Sequence, residues 1–329
     1  MSGPWFEDFS EGQSFVSDPL TVERDPIVAF AREFDPQPFH LDEGAAAESF
    51  AGRLIASGWH TAALGMRLLQ GSVFGGGSSL GSPGIDELRW LKPVLPGDSL
   101  VLRTVVEDRR ASGSKPGLGF VRFAAGLENG AGEAVMSQTF TVMFPRRGTA
   151  PPPPRPVALA TPELVAEPED AETLPFLGAV EIGASRELDA HVFTAEGITA
   201  FARAFDPQVF HLDPEAARAS HFGGLCASGW HTAAAYMQRL LATRARDRAF
   251  TQARGPVPAF GPSPGFRKMR WLQPVYAGDT IAYRTTLTDR RASGSRPGWG
   301  LAFARNTGTN QRGEEVFRFD STVFWQWAP

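Results

Sequence analysis

The sequence predicts an α+β protein of two tandem domains, each an antiparallel sheet wrapped around one long central helix, with the two halves forming a pseudo-dimer. Three observations predict it. The chain repeats itself: FDPQPFHLD (34–42) returns as FDPQVFHLD (205–213), and ASGWHTAA (56–63) returns unchanged at 227–234, both at an offset of 171. Within each copy, helical periodicity comes first and period-two alternation follows, the order expected of a sheet folding over a helix. Between the copies runs APPPPRP (150–156), a polyproline-type spacer. With 329 residues there is room for two domains, each large enough to bury a core. The expected boundaries are 1–149 for the first domain, 150–173 for the spacer and 174–329 for the second.

Each element has its own signals. Asp25 to Glu33 reads as a short helix with Asp25 as N-cap and Pro26 in the first turn. Asp35-Pro36 ends it, because a residue before proline is pushed out of the α region. Pro36 and Pro38 predict a stiff extended bracket from Asp35 to His40, with no helical turn. A second small helix is expected over Glu43 to Ser49. Ser57 then caps the longest one, Gly58 to about Gln70, whose apolar stripe is Trp59, Ala62, Ala63, Met66 and Leu69. Four strands in meander style follow: ELRWLKPV, SLVLRTVVEDRR, LGFVRFAAGLEN and EAVMSQTFTVMF, separated by PGD, SGSKPG and NGAGE. Beyond about residue 242 the offset becomes 181, so the second copy carries ten extra residues, read as a variable loop. The two sheets are expected to pair edge to edge or to pack side by side.

The totals limit function. A formal net charge of −4 implies no broad basic face and argues against nucleic acid as a partner. The lone Cys226 excludes an internal disulfide. No apolar run reaches membrane-spanning length, the start MSGPWFEDFSEGQSF lacks a signal-peptide pattern, and a soluble cytoplasmic protein with no membrane partner is expected. No His, Cys, Asp and Glu cluster has metal spacing, so no metal is expected.

Chemistry concentrates in the repeated stretch. Of six histidines, His40 and His60 pair with His211 and His231, while His191 and His221 stand alone. Asp35 with His40, and Asp206 with His211, suit general acid–base work on a proline-stiffened segment; the alternative is a turn-capping Asp and a packed His. Gly58 and Gly229 occupy the first turn of the long helix, where free backbone N–H groups face outward. Such an N–H can hold a developing oxyanion, or the glycine can simply permit close packing. His60 and His231 are candidate substrate contacts that fit equally well as packed residues, and Ser57 and Ser228 are caps that could reach substrate. Arg109, Arg110 and Lys115, with Arg290, Arg291 and Arg296, lie on strand-joining loops that could receive phosphates or be merely solvated.

D-P-Q-P-F-H resembles the D-x-N-P-x-H signature of the MaoC-like, or hydratase 2, branch of the hot dog fold, and the capped SGWHTAA helix looks like that fold's central helix. The resemblance spans both halves and includes the downstream P-V-x-x-G-D turn. This chain departs from the pattern with Gln37 and Gln208 in place of Asn, with Val209 in place of the second Pro, and with Phe34 or Phe205 where Gly is frequent. It implies (R)-specific addition of water to a trans-2-enoyl-CoA, or the reverse dehydration, by Asp35/His40 and Asp206/His211. It also implies oxyanion roles for the Gly58 and Gly229 amides, an acyl-CoA substrate, and no cofactor beyond the coenzyme A of that substrate. A hot dog thioesterase and a non-catalytic acyl-CoA-binding protein remain the alternatives. An intramolecular pseudo-dimer is expected, with room for a higher homo-oligomer.

Overall fold

In the computed structural model, residues 3–75, 77, 79–150, 152–157 and 170–329 are described. Two short strands, β1 (Ser14–Val16) and β2 (Leu20–Thr21), open the chain; they are too short for alternation to register in the sequence. Helix α1 spans Arg24–Phe34 and turns Ile27, Phe30, Ala31 and Phe34 inward. Its cap is Glu23, with Asp25 already inside the first turn, so the expected Asp25 cap is displaced by two residues. A larger correction follows. Pro38–Leu41 forms a helical turn, α2, in place of the extended bracket expected through His40. Pro38 is at its first position, where the fixed φ suits a helix and the missing N–H has no intrahelical role. Only Asp35 to Gln37 stays outside the helices, closed by the Gln37 N–H on the Asp35 carbonyl at 2.7 Å. Helix α3 (Glu43–Ala47) is capped by Asp42, whose Oδ1 accepts the Ala45 N–H at 2.9 Å. Helix α4 (Gly58–Ser72) starts where Ser57 Oγ accepts the Trp59 N–H at 3.1 Å, as expected, and it is buried on nearly every side.

Three strands fall where alternation places them, β4 (Ser99–Ala111), β5 (Leu118–Glu128) and β6 (Ala134–Pro145), while β3 (Gly84–Trp90) begins before the expected ELRWLKPV and ends before its LKPV. They do not form a simple meander, because β3 pairs with β6 and leaves its other edge free for the second half. That half repeats the plan as β7 (Ser185–Val192), α5 (Ala195–Phe205), α6 (Val209–Leu212), α7 (Pro214–Ala219), α8 (Gly229–Gln252), β8 (Gly265–Trp271), β9 (Thr280–Ala292), β10 (Trp299–Asn310) and β11 (Glu315–Gln326). The extra residues do not make a variable loop; they extend the central helix, so that α8 has 24 residues against 15 in α4. ATRARDRAFTQ consists largely of good helix formers, which explains the extension.

The halves join by backbone pairing of β3 with β8, which makes one sheet of eleven strands. Gly84 and Gly265 make this approach feasible: at φ +151 and +143, a Cβ on either would lie 2.0 Å from a carbonyl oxygen of the opposing strand. Helices cross the divide as well. Arg67 donates to the Ala204 carbonyl at 2.6 Å, and Gln238 to the Glu33 carbonyl at 2.7 Å. One apolar core therefore runs through both halves, with Trp59 stacked on Phe266 at 5.4 Å.

Candidate active site

Each site is assembled from the extended turn after one short helix and the start of the central helix. In the first half, Asp35 lies at the end of α1 and His40 on α2, both almost fully buried. Gln37 Nε2 donates to Asp35 Oδ1 at 2.8 Å and Ser57 Oγ donates to Oδ2 at 2.6 Å. His40 Nδ1 lies 2.8 Å from the Ile55 carbonyl, which fixes that nitrogen as the donor and turns Nε2 toward Asp35 Oδ2, 3.5 Å away. The second half repeats the set. Gln208 and Ser228 donate to Asp206 at 3.0 and 2.7 Å, His211 Nδ1 donates to the Cys226 carbonyl at 2.7 Å, and Nε2 is 3.5 Å from Asp206 Oδ2.

The turn at Pro38 creates this geometry, since it folds His40 back over Asp35 as no extended bracket would. The two glutamines, met in the sequence only as departures from a pattern, each hold one carboxylate oxygen. Each serine is shared: its hydroxyl caps the helix and also donates to the aspartate. Burial by itself would lower the His211 pKa, but the facing Asp206 charge and hydrogen bonds hold it up at about 10. Burial by itself would raise Asp206, and the same partner with Ser228 and Gln208 brings it below the usual carboxylate range. Each member of this pair thus favours the charged form of the other.

The helix starts are crowded. A Cβ on Gly58 would fall 2.6 Å from the Trp90 indole, and one on Gly229 would fall 2.3 Å from that of Trp271. Each indole also donates to the carbonyl of its glycine, at 2.9 and 3.0 Å. The glycines thus make room for tryptophans, a packing role the sequence left open. Among the described residues, their own N–H groups have no protein acceptor.

Beside the second site is a cavity of about 210 Å³. Asp206, His211, Gly229 and Trp271 line it on one side; Met66, Leu69, Ser79 and Gln138 of the first half line it on the other. Ser79 reaches across through both its N–H and its hydroxyl, each 2.9 Å from Gln208 Oε1. Arg155, from the spacer, lines the mouth, and its N–H donates to the His221 carbonyl at 3.3 Å. Neither Ser79 nor Arg155 carries a sequence signal, because both reach the site only through the pairing of the two halves.

Other candidates are placed elsewhere. His60 stacks on Phe30 at 4.7 Å and His231 on Phe201 at 4.7 Å, and burial lowers both to a pKa of about 3, so each is a neutral packed ring. Arg109 donates to the Phe9 carbonyl and Arg290 to the Leu177 carbonyl, both at 2.6 Å, which pins the segment leading into each half. Arg110, Arg291 and Arg296 lie over Phe120, Phe303 and Trp299, and Lys115 is exposed. None of these six cations lines either large cavity.

A sheet curled over one central helix, repeated and joined edge to edge around paired Asp and His residues, is a double hot dog. Residues 8–119 and 179–297 match the MaoC like domain, and the chain belongs to that family of dehydratases and hydratases. It is 33% identical over 112 residues to the uncharacterized protein YdeM of Bacillus subtilis (strain 168), a match spanning 34% of this chain and 79% of that one. Its fold superposes on a MaoC domain protein of Chloroflexus aurantiacus J-10-fl with a TM-score of 0.76, at 19% identity over 99% of this chain and 98% of that one. It also superposes on Rv0216 of Mycobacterium tuberculosis, a double hot dog, with a TM-score of 0.71, at 17% identity over 98% of each. Among the described residues, no helix is long and apolar enough to cross a membrane, and no group of His, Cys, Asp and Glu has the arrangement of a metal site.

Proposed function

We propose that the protein is a hydro-lyase that adds water to a trans-2-enoyl-CoA to give an (R)-3-hydroxyacyl-CoA, or removes it. The observation that carries this reading is the repetition of one constellation, in which a buried carboxylate held by Gln and Ser faces the Nε2 of a His, beside a helix start with an unused N–H. A water held by both groups gives a proton to the aspartate as its oxygen bonds to Cβ of the substrate. The π electrons move toward the thioester, whose oxygen gains enolate charge and is met by the N–H of Gly58 or Gly229. The imidazolium then gives its Nε2 proton to Cα, and proton transfer from the aspartic acid to the imidazole resets the pair. The apolar cavity beside Asp206 and His211 has the character needed for an acyl chain.

Crotonyl-CoA is the discriminating probe. Loss of its conjugated absorbance without release of thiol is the expected outcome. Thiol release would make the protein a thioesterase, and binding without turnover would make it a silent acyl-CoA carrier.

A further inference from the structure

A second cavity, of about 260 Å³, lies under the middle of α8. At three positions of its wall the second copy has lost bulk that fills the first. Ala302, Ala304 and Ser321 occupy the positions of Val121, Phe123 and Phe140 at the offset of 181. In the first half those two phenylalanines are buried with rings stacked at 5.5 Å; in the second, the alanines and the serine leave the space open as cavity wall.

The space is not simply greasy. Tyr236 and Asn306, which replace Gly65 and Ala125, lie on its wall, with Tyr236 Oη donating to Asn306 Oδ1 at 2.5 Å and Asn306 Nδ2 donating to Ser321 Oγ at 2.9 Å. Arg244 lines it too, on the stretch by which α8 outruns α4. Its guanidinium rests on the Phe260 ring at 4.2 Å, and among the described residues no carboxylate lies within ion-pair distance of it. Asp247 is the nearby acid, but it is taken by Arg186, at 3.1 and 2.8 Å, and by the Glu172 N–H at 2.9 Å. Arg244 is half-buried, and among the described residues its guanidinium donates to no protein acceptor, which leaves its donors available to a carboxylate. Trp59 and Trp90 also line the cavity, and Trp90 is the indole that packs on Gly58 at the first site and donates to its carbonyl.

The geometry points to a chamber for an acyl chain that ends in a carboxylate: the thioester end would lie at Asp35, His40 and Gly58, and the distal carboxylate would pair with Arg244. This rests on the acyl-CoA reading above, and it makes a dicarboxylic monothioester the substrate class of the first site. Guanidinium and carboxylate match in shape and charge, which gives the pairing its selectivity over a methyl end.

Equilibrium binding to the full chain tests it with saturated, unreactive thioesters of matched length, hexanedioyl-CoA against hexanoyl-CoA and octanedioyl-CoA against octanoyl-CoA. In at least one pair the dicarboxylic member is expected to bind one site per chain at least about tenfold more tightly. Arg244→Met should remove that advantage and Arg244→Lys should keep part of it. Ala304→Phe, which restores the bulk found in the first half, should weaken the dicarboxylic thioesters selectively. Equal affinities in the unaltered protein overturn the proposal whether or not any variant folds, as does a preference that survives in Arg244→Met. Turnover of crotonyl-CoA is measured alongside. Its absence would sink the hydratase reading and leave the binding comparison to decide the chamber separately.

Discussion

At the scale of single residues, the decisive contacts are the two oxygens of each aspartate. With one donor on each, Asp35 and Asp206 are held in place, and replacement by Asn should preserve the shape while removing the base. Each single change, Asp35→Asn or Asp206→Asn, is expected to reduce crotonyl-CoA hydration by up to about half, and the double change by at least about 10², the usual contribution of acid–base groups. Full turnover in a folded double variant would move the chemistry elsewhere. The glycines call for a different expectation. Because a Cβ on Gly229 would fall 2.3 Å from the Trp271 ring, Gly229→Ala should lower stability and second-site activity together, by about 1–3 kcal/mol in a urea titration. A loss of activity at unchanged stability would show that the indole shifts freely and that the amide is what the substitution disturbs.

At the scale of elements, the cap serine couples helix and carboxylate. Ser228→Ala removes the acceptor for the Trp230 N–H and the donor to Asp206 in one step. It should cost about 1 kcal/mol for the cap and, measured in the Asp35→Asn background, should also lower kcat/KM at the second site. If only stability changes, the Ser228–Asp206 hydrogen bond is irrelevant to the reaction. The central helices carry the larger difference between the halves, since α8 runs nine residues further than α4 over a hollowed sheet. The halves therefore share one Asp–His arrangement but enclose different spaces, and under the proposed function substrates of different chain ends are expected to separate the two sites.

At the scale of the molecule, stability should depend on pH with opposite signs from two sets of buried histidines. His60 and His231 are lowered from 6.5 to about 3, so they bind protons in the unfolded chain first, and the stability present above pH 6.5 is lost as pH falls toward 3. His211 is raised to about 10, so its contribution is complete below pH 6.5 and is lost as pH rises toward 10. Urea titrations should thus find a maximum near pH 6.5 and a loss on the order of a few kcal/mol by pH 5, reduced by His60→Phe. A flat profile between pH 5 and 7 would mean that these rings are not held neutral. The joint between the halves gives a further expectation. Backbone pairing of β3 with β8 and a shared core should keep the chain together after a single cut within 158–169, so the nicked protein should elute as one species in gel filtration at micromolar concentration. Separation into halves would show that the spacer, and not the interface, holds them.

The repeat, the strands, the capped helix and the paired Asp and His could all be read from the sequence, because each depends on short-range spacing: alternation, a cap serine, a proline after an aspartate. Spacing fails where the outcome depends on what lies across the fold. Pro38 reads equally as a stiffener or as the first residue of a helical turn, and the packing of His40 over Asp35 selects the turn. ATRARDRAFTQ reads as an insertion in a loop, and it became helix where it could pack against the second sheet. Gln37 and Gln208 read in the sequence as departures from a pattern, and in the fold their amides donate to the carboxylates. Ser79, Arg155 and Arg244 acquire meaning only as cavity lining, since residues far apart in the chain meet there. The sequence by itself determined two copies of one fold with one repeated Asp and His pair each. Only the tertiary structure decided how they join and which spaces they enclose, because edge pairing and cavity shape depend on side-chain volumes summed across both halves.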